Sequence, residues 1–311
     1  MQYHFIVNPN AKSRGGRSVI NIIKPIVEER IDEYEFHETV KPGDATEIAM
    51  MLTQNPLEKV VVVVGGDGTL NEVVNGLGDY SNITLAVIPM GTANDFARGI
   101  KLKKNIHKAL NRIIDMENII KINIGLAQYG KDDGLDFETH RFIVSSGIGY
   151  DARICEINNS SSAKSVFNKI KLGKLSYAYL GITQMMNSKY GDATIELDDG
   201  TDIYLKDFIF CSAHNLPYEG GGFLFAPKAL GGDGYLDLCV VNNVSRLRAL
   251  LLLPLALKGK HIGHAGVNVY RCKSVIFNAK KRMSVHTDGE TYERQSYVKI
   301  SILPKRIKLI V

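Results

Sequence analysis

The chain has 311 residues, 45% of them hydrophobic and 23% charged. This composition excludes a fibrous or disordered chain and indicates a globular protein with a full core, long enough for two domains. Lys and Arg exceed Asp and Glu by 38 − 33 = 5. Such a mild positive charge suits an anionic ligand or membrane surface, but many cytoplasmic proteins carry as much.

Several classes of protein can be set aside from local sequence. The four cysteines contain no C-x-x-C pair and no histidine spacing resembles a zinc site, so zinc binding and dithiol redox chemistry are not expected. The N-terminus lacks a basic leader followed by an apolar segment. The strongest apolar run, Ala249 to Leu257, is short for a membrane span and contains Pro254. The predicted location is the cytoplasm, with peripheral contact with the inner face of the plasma membrane left open.

The first 120 residues alternate between strand-like and helical patterns. The predicted strands are Tyr3 to Val7, Glu33 to Thr39, Val60 to Val64 and Thr84 to Ile88, and the predicted helices are Ser18 to Arg30, Asp44 to Gln54 and Leu70 to Leu77. Alternating all-apolar strands and helices predict a parallel sheet wrapped by helices, whose ligands bind at the carboxyl ends of the strands.

From about residue 121 strands dominate, which predicts an antiparallel β-sandwich or barrel. The strands are expected over Glu138 to Ile148, Ala193 to Leu197, Asp202 to Cys211, Tyr235 to Val241, Val267 to Phe277, Arg282 to His286 and Tyr297 to Ile302. Asp198-Asp199-Gly200 predicts a hairpin turn, and Ala163 to Lys189 and Ser245 to Lys258 have helical patterns. The strand-like end, Arg306 to Val311, is expected to return to the first domain. An exposed strand edge would allow a homodimer.

The turn Gly65-Gly66-Asp67-Gly68-Thr69 separates a buried strand from a helix. Glycines let the backbone approach a ligand closely, and the N–H groups of such a turn favour an anion such as phosphate. Asp67 fits this setting if a divalent cation or a ribose hydroxyl is present. The alternative is a plain tight turn with Thr69 as N-cap. The turn is neither a Walker A loop nor the G-x-G-x-x-G dinucleotide pattern.

Two other polar stretches also follow strands. Met90 to Ala97 places Thr92, Asn94 and Asp95 within four residues after a Pro and a Gly, although a capped helix start would look the same. Asn8 to Gly16 is polar, basic and glycine-containing, and could close over phosphates as a flexible loop.

These motifs together resemble the diacylglycerol kinase catalytic family, which includes bacterial lipid kinases and sphingosine kinases. The resemblance is carried by Asn8-Pro9, Gly65 to Thr69, Gly91 to Phe96, Gly220-Gly221-Gly222 with Ala226-Pro227, Asp233 to Asp237 and Asp288-Gly289-Glu290. It implies an α/β plus all-β fold: a Rossmann-like parallel-sheet domain of the NAD kinase and diacylglycerol kinase type, followed by a β-sandwich. We place the nucleotide-binding domain at residues 1–122 plus 303–311 and the lipid-substrate domain at residues 123–302.

The resemblance also implies an ATP site between the two domains. The implied nucleotide-binding residues are Asn8, Pro9, Asn10, Ala11, Lys12, Thr39, Gly66, Asp67, Gly68, Thr69, Leu70, Asn71, Glu72 and Thr92. Asp67 would also be important for catalysis. A catalytic Mg²⁺ would arrive with ATP.

In the second half, Glu290 looks like the general base for the lipid hydroxyl, and Asp288 is the alternative. The alternative is that these residues form an ordinary type I′ turn without a catalytic role. The Leu230 and Tyr235 carbonyls with the Asp233 carboxylate resemble the family's structural cation site, with a metal-free turn as the alternative.

Gly147 to Asp151 forms a turn where related kinases place substrate-side groups. Two departures, Asn123 where the family often has Asp and Gly231-Gly232 where it often has an acidic residue, bear on metal affinity or activity.

The predicted function is an ATP-dependent lipid kinase, most simply one that converts diacylglycerol to phosphatidic acid in phospholipid metabolism. A NAD kinase-like enzyme and a catalytically weak nucleotide- or lipid-binding regulator remain as alternatives. The expected partner is a lipid substrate at a membrane surface, and no nucleic acid is expected. The helix pattern between Ala163 and Lys189 could touch an anionic membrane or pack on the sandwich.

Overall fold

The computed structural model describes residues 1–102, 105–130, 137–159, 181–186 and 191–311, and for residues 12–15 the backbone alone. The helices are α1 Ala11–Arg30, α2 Asp44–Gln54, α3 Asp67–Gly76, α4 Asp95–Gly99, α5 Ile106–Ile114, α6 Tyr150–Asn159 and α7 Arg246–Ala256, and residues 181–186 are also helical. The chain divides into two compact units. Unit 1 comprises residues 1–124, 231–233 and 303–311, and unit 2 comprises residues 125–230 and 234–302.

The strands divide between one sheet in each unit. Those of unit 1 are β1 Gln2–Val7, β2 Tyr34–Glu38, β3 Lys59–Gly65, β4 Ile83–Pro89, β5 Ile119–Ile122 and β16 Ile307–Ile310. Those of unit 2 are β6 Gly125–Gly130, β7 Phe137–Phe142, β8 Ser145–Gly149, β9 Ala193–Leu197, β10 Asp202–Leu205, β11 Phe210–His214, β12 Leu236–Val241, β13 Val267–Cys272, β14 Ser274–Thr287 and β15 Glu290–Ile302.

The strands in the described part of unit 1 form a six-stranded sheet in the order β2-β1-β3-β4-β16-β5. Strands β1 to β4 are parallel because helices α1, α2 and α3 return the chain after each strand. Strand β3 is buried along its whole length, as its sequence KVVVVVG requires for a central strand with helices on both faces. The order changes direction between β1 and β3, which is where ligands bind in open α/β sheets.

The described residues of unit 2 form a ten-stranded antiparallel sheet in the order β13-β12-β11-β8-β14-β15-β6-β7, with β9 and β10 attached through β14. Its core includes Phe142, Phe208 and Phe277. The predicted fold class, a parallel-sheet domain followed by an antiparallel β-sandwich domain, is confirmed. Among the described helices, none is long and apolar enough to cross a bilayer.

Most element predictions agree with the structure, and α2 has the predicted bounds. The last strand, β16, pairs with β4 and β5 of unit 1. The predicted hairpin at Asp198 to Gly200 joins β9 and β10. The prediction that Ala163 to Lys189 is helical lies outside the described residues except at 181–186.

Several predictions are corrected. The expected loop from Asn8 to Gly16 is helical from Ala11, and Gly16 lets this helix lie close to the end of β1, since a Cβ atom there would lie 2.1 Å from the carbonyl oxygen of Asn8. The expected turn from Gly147 to Asp151 is the end of β8 followed by α6, with Gly149 at φ +108°. The single strand expected from Glu138 to Ile148 is divided into β7 and β8, and the one expected from Asp202 to Cys211 is divided into β10 and β11. The strands expected from Val267 to Phe277 and from Arg282 to His286 are instead β13 and the longer β14, which begins at Ser274.

Candidate active site

The first glycine turn of unit 1 links β3 to α3. A Cβ atom on Gly65 would lie 2.7 Å from the Thr69 side chain, and one on Gly66 would lie 2.9 Å from the Cα atom of Gly91. Conversely, a Cβ atom on Gly91 would lie 2.7 Å from the Cα atom of Gly66. The turns after β3 and β4 therefore lie against each other through bare backbone, and only glycine fits both positions.

Asp67 joins these two turns through its carboxylate. Its Oδ2 atom accepts a hydrogen bond from the Asp95 amide at 3.0 Å, and its Oδ1 atom accepts one from the Phe96 amide at 3.2 Å. Burial raises the pKa of Asp67, and these amides together with Arg98 partly offset that effect. The carboxylate thus caps the start of α4 and fixes the second turn relative to the first.

Asn94 closes the second turn on itself. Its side-chain oxygen accepts from the Gly91 amide at 2.8 Å, and its side-chain nitrogen donates to the Gly91 carbonyl at 2.8 Å. The backbone of Asn94 is left-handed, with φ 51°. Thr92 lies between these anchors and is exposed. Both turns are therefore fixed by side chains that bond to backbone.

Asn8 bridges the point where the strand order changes direction. It follows β1, and its side-chain nitrogen donates to the Thr69 hydroxyl, which follows β3, at 3.2 Å. Its side-chain oxygen accepts from the Asn10 amide at 3.0 Å. On the other side of β1, the Thr39 amide donates to the Val7 carbonyl at 2.9 Å. The structure therefore brings the ends of β1, β2 and β3 together, as predicted for a ligand site.

The other predicted nucleotide-binding residues differ in accessibility. Pro9, Thr39, Thr69, Leu70 and Asn71 are buried, Asn10 and Thr92 are exposed, and Asn8, Ala11, Gly66, Asp67, Gly68 and Glu72 are partly exposed. The side chain of Lys12 is outside the described part of the chain. Glu72 accepts from the Ala45 amide at 3.3 Å, near the N-terminus of α2, so its carboxylate has a structural contact in unit 1.

The predicted cation ligands are distributed over both units. Asp233 belongs to unit 1, whereas Leu230 and Tyr235 belong to unit 2. Within unit 1, the Gly231 carbonyl accepts from the Asn123 amide at 2.6 Å, and the Gly232 carbonyl accepts from Arg306 at 2.8 Å. Asn123, noted as a departure from the family pattern, is thus buried against this turn through its backbone. The cation site itself stays a prediction.

The acidic turn of unit 2 is a two-residue hairpin between β14 and β15. Asp288 and Gly289 have φ 50° and 89°, as a type I′ turn requires. The Asp288 carboxylate accepts three backbone hydrogen bonds at 2.9–3.0 Å, from Ile143, Val144 and Ser145. These amides lie at the break between β7 and β8, so the Asp288 carboxylate explains that break.

Glu290 is the exposed carboxylate of the same turn. It is paired with Thr287 in the β14–β15 register, directly after the hairpin. Because three amides occupy the Asp288 carboxylate, the geometry favours Glu290 over Asp288 for contact with a substrate hydroxyl.

A buried polar cluster lies behind this hairpin within unit 2. The His286 Nε2 atom lies 3.2 Å from the Asp151 carboxylate and 3.5 Å from the Glu219 carboxylate. The His214 Nε2 atom lies 3.4 Å from Glu219. Gly147 makes room, since a Cβ atom there would lie 2.0 Å from Asp151. Burial raises the pKa of Asp151, as does the negative charge of Glu219.

Sequence reasoning missed this cluster. Asp151 was named only as part of a turn, and Glu219 and His286 were given no role. Asp151 and His286 lie 135 positions apart in the chain. Gly147 and Gly149 indicated that other atoms pack closely against the backbone there. The local sequence could not show that the atoms beside Gly147 belong to Asp151 and His286.

Comparison with known proteins matches both halves of the chain. The family model of the diacylglycerol kinase catalytic domain matches residues 2–127, and that of the YegS C-terminal NAD kinase beta sandwich-like domain matches residues 143–311. YtlR of Bacillus subtilis (strain 168), provisionally named a lipid kinase, is 30% identical over 295 residues, or 93% of each chain.

Two further relatives agree. A protein named diacylglycerol kinase from Staphylococcus carnosus (strain TM300) is 30% identical over 291 residues, covering 92% of this chain and 87% of that protein. A crystal structure of a diacylglycerol kinase from Bacillus anthracis has a TM-score of 0.70 at 22% identity, covering 99% of this chain and 96% of that one. At that identity, the last comparison supports the fold alone.

Proposed function

The chain belongs to the diacylglycerol kinase family, and we propose that it is an ATP-dependent kinase that transfers a phosphoryl group to a lipid hydroxyl, with diacylglycerol as the acceptor. Its membership of this family supports a kinase activity. The observation that best supports the proposal is the pair of glycine turns after β3 and β4, which present backbone rather than side chains beside the change in strand order. Such a site suits phosphate groups.

The nucleotide is assigned to unit 1. Gly66 and Gly91 supply close backbone approach, and Asn8 and Thr92 supply an amide and a hydroxyl. Asp67 holds the second turn in place through the Asp95 and Phe96 amides. A magnesium ion bound with ATP would neutralise phosphate charge during transfer.

The acceptor is assigned to unit 2. In our proposal Glu290 accepts the proton of the lipid hydroxyl as the oxygen attacks the γ-phosphorus, and ADP leaves. Asp288 does not take part directly, because its carboxylate is held by the Ile143, Val144 and Ser145 amides. A general base needs correct placement within hydrogen-bond reach of the hydroxyl.

Helix α7 supports a contact with the membrane that carries the acceptor. Leu247 and Leu251, four positions apart, are 64% and 66% exposed, and Leu257 just beyond the helix is 51% exposed. Exposed basic side chains flank them at Arg248, Lys258 and Lys260. Apolar residues bordered by cations fit the interface of an anionic bilayer.

The membrane contact is tested with vesicles that contain phosphatidylglycerol. We expect the double variant Leu247→Gln with Leu251→Gln to bind these vesicles at least about a hundredfold more weakly, since each buried leucine side chain contributes on the order of 1.5–3 kcal/mol and two are lost. The control variant Leu57→Gln removes a leucine of similar exposure, 57%, from unit 1 and should bind as the wild type does. Equal binding by all three proteins would contradict the assignment to α7.

The activity is tested with Mg²⁺, γ-labelled ATP and either diacylglycerol in mixed micelles or NAD. Label in phosphatidic acid supports the proposed function. Label in NADP would replace the proposal with a NAD kinase activity. ATP binding without label in either acceptor would contradict the proposed acceptor and favour a catalytically weak regulator.

A further inference from the structure

Three potential metal-ligand side chains meet on one face of the unit 1 sheet. His4 on β1 is paired with Glu35 on β2, and His37 lies two residues further along β2, so all three point to the same side. The His4 Nδ1 atom lies 3.2 Å from the His37 Nε2 atom. The Glu35 Oε2 atom lies 3.5 Å from each of these nitrogens.

These distances match the separations between neighbouring ligand atoms around a bound metal ion. Zinc bonds of ~2.0–2.1 Å in tetrahedral geometry separate neighbouring ligand atoms by about 3.3–3.4 Å. We propose that His4, Glu35 and His37 bind a divalent transition-metal ion, with zinc as the best fit to the geometry. Two imidazoles and one carboxylate form a suitable ligand set, and a water molecule would complete the tetrahedron.

The state of the two imidazoles suits this role. Burial lowers the pKa of His4 and of His37, and a neutral ring is the form that binds a metal. The Nε2 atom of His4 is buried without a hydrogen-bond partner among the described residues. No donor among the described residues therefore occupies Nε2, so Nε2 can carry the ring proton and leave the Nδ1 lone pair to the metal.

A simple hydrogen bond between the rings is the competing explanation. It accounts for the His4–His37 contact but not for the equal distances from Glu35 to both nitrogens. The Glu35 side chain is 60% exposed, which leaves an ion a path from solvent. The buried Lys59 ammonium lowers the pKa of His4 as well, and its charge would also weaken the affinity for a cation. Its Nζ atom is bound to the Leu52 and Asn55 carbonyls.

The buried cluster of Asp151, Glu219 and His286 in unit 2 has a similar composition but does not qualify. The His286 Nδ1 atom accepts a hydrogen bond from the Gly289 amide at 3.2 Å. The Nε2 atom, which faces both carboxylates, must then carry a proton, and a protonated nitrogen cannot bind a metal.

A metal at His4, Glu35 and His37 would link strands β1 and β2. Asn8 follows β1 and Thr39 follows β2, so the ion would brace two positions assigned above to the nucleotide. Metal binding at these three residues is independent of the nucleotide and can be measured directly.

The experiment titrates zinc chloride into chelator-treated full-length protein by calorimetry in a buffer that does not bind zinc. We expect one ion per chain, a higher melting temperature with zinc, and affinity at least about tenfold weaker in Glu35→Gln and in His37→Gln. The control is Glu38→Gln, an exposed carboxylate of β2 that faces away from the site, and it should retain wild-type affinity.

The melting temperature of each variant in chelator shows whether it is folded, and the exposed position of Glu35 makes Glu35→Gln the safer variant. Absence of zinc binding in the wild type would overturn the proposal. Unchanged affinity in a folded Glu35→Gln or His37→Gln would also overturn it, because the ion would then bind elsewhere.

A second inference rests on the proposed function and on different contacts: we propose that His286 is a positioning residue for the turn that presents Glu290. The His286 Nδ1 atom holds the Gly289 amide, and Asn159 donates to the Gly289 carbonyl at 3.0 Å. The carboxylates of Asp151 and Glu219 keep the ring proton on Nε2. These carboxylates also raise the pKa of His286, and the contact with the Gly289 amide is made by the ring whose Nδ1 atom is unprotonated. The cluster thus orients the ring so that Nδ1 faces the turn.

Two substitutions distinguish the roles of the two ring nitrogens of His286. In His286→Asn the side-chain oxygen can replace Nδ1 and keep the Gly289 bond, whereas in His286→Gln the longer amide reaches the Nε2 position and loses that bond. We expect hydrogen exchange of the peptide containing Gly289 to rise more in His286→Gln than in His286→Asn. We also expect kcat to be about tenfold lower in the Gln variant than in the Asn variant, with similar KM for ATP.

Equal exchange and equal kcat in the two folded variants would overturn the positioning role. The exchange measurement needs no substrate. If the wild type transfers no label to lipid but the two variants still differ in exchange, the proposed function fails while the contact between His286 and the turn stands.

Discussion

The Asp67 turn of unit 1 and the Asp288 turn of unit 2 share one structural feature, which has a different consequence in each. In each, a carboxylate beside glycines accepts hydrogen bonds from backbone amides that lie far away in sequence. Asp67 ties two glycine turns together and leaves bare backbone at the sheet edge. Asp288 ties a strand break to a hairpin and leaves the next carboxylate, Glu290, exposed. An aspartate in a glycine turn can therefore build a site without being its reacting group.

The largest effect is expected where the comparison assigns chemistry to a side chain. Glu290→Gln removes the proposed base and should lower kcat by about 10²–10⁴-fold, the range typical for loss of general base catalysis. The measurement is a steady-state assay with diacylglycerol, alongside ATP binding, which should not change. Glu293→Gln, an exposed carboxylate on the same strand, serves as the control and should retain the wild-type rate. A loss confined to ATP affinity would show that Glu290 is not the base.

In unit 1 the expected loss is smaller because Asp67 acts through backbone. Asp67→Ala should lower the free energy of unfolding by about 1 kcal/mol through loss of the helix cap, and lower kcat/KM at least tenfold because the Gly91–Phe96 turn loosens. Urea denaturation and the transfer assay measure the two effects.

The control for Asp67 is Asp44→Ala. The Asp44 carboxylate also accepts two backbone hydrogen bonds, from the Val40 and Lys41 amides at 2.7 and 2.9 Å, but it lies at the start of α2. This variant should keep its kcat/KM. If both variants lose activity alike, the effect of Asp67 is general destabilisation and the comparison between the turns fails.

Asp288→Ala should act mainly on stability. It leaves the amides of Ile143, Val144 and Ser145 without their acceptor, which should cost about 2–3 kcal/mol in urea denaturation. Asp199→Ala provides a control in the β9–β10 hairpin, where one backbone amide, that of Thr201, is bound. A stable Asp288→Ala protein with greatly reduced kcat would instead make Asp288 part of the chemistry.

Sequence predicted the parts of this structure that depend on local pattern. The apolar run of β3 and the Asp44 start of α2 predicted a buried strand and a helix within a residue of their bounds. The glycine turns were also predicted from local sequence, because the glycines that a close backbone approach requires can be read directly from it. The helical start of α1 was missed because its first turns lack an apolar face.

The contacts of the polar side chains could not be predicted. The carboxylate of Asp67 meets amides 28 and 29 positions away, and His4 meets His37 across 33 positions. Both contacts depend on which strands become neighbours and in which register. A histidine pair without zinc-like spacing in sequence can therefore form a metal-like geometry once β1 and β2 align.

The central claim is that bare backbone in unit 1 binds the nucleotide, and calorimetric titration of a non-hydrolysable ATP analogue with Mg²⁺ tests it most directly. Gly66→Ala places a Cβ atom 2.9 Å from the Cα atom of Gly91, whereas Gly78→Ala places one at the longer distance of 3.2 Å from the Thr53 hydroxyl, outside both glycine turns. We predict that Gly66→Ala binds the analogue about tenfold more weakly, as expected for displaced backbone, while Gly78→Ala binds as the wild type does. Wild-type affinity in a folded Gly66→Ala would contradict the claim.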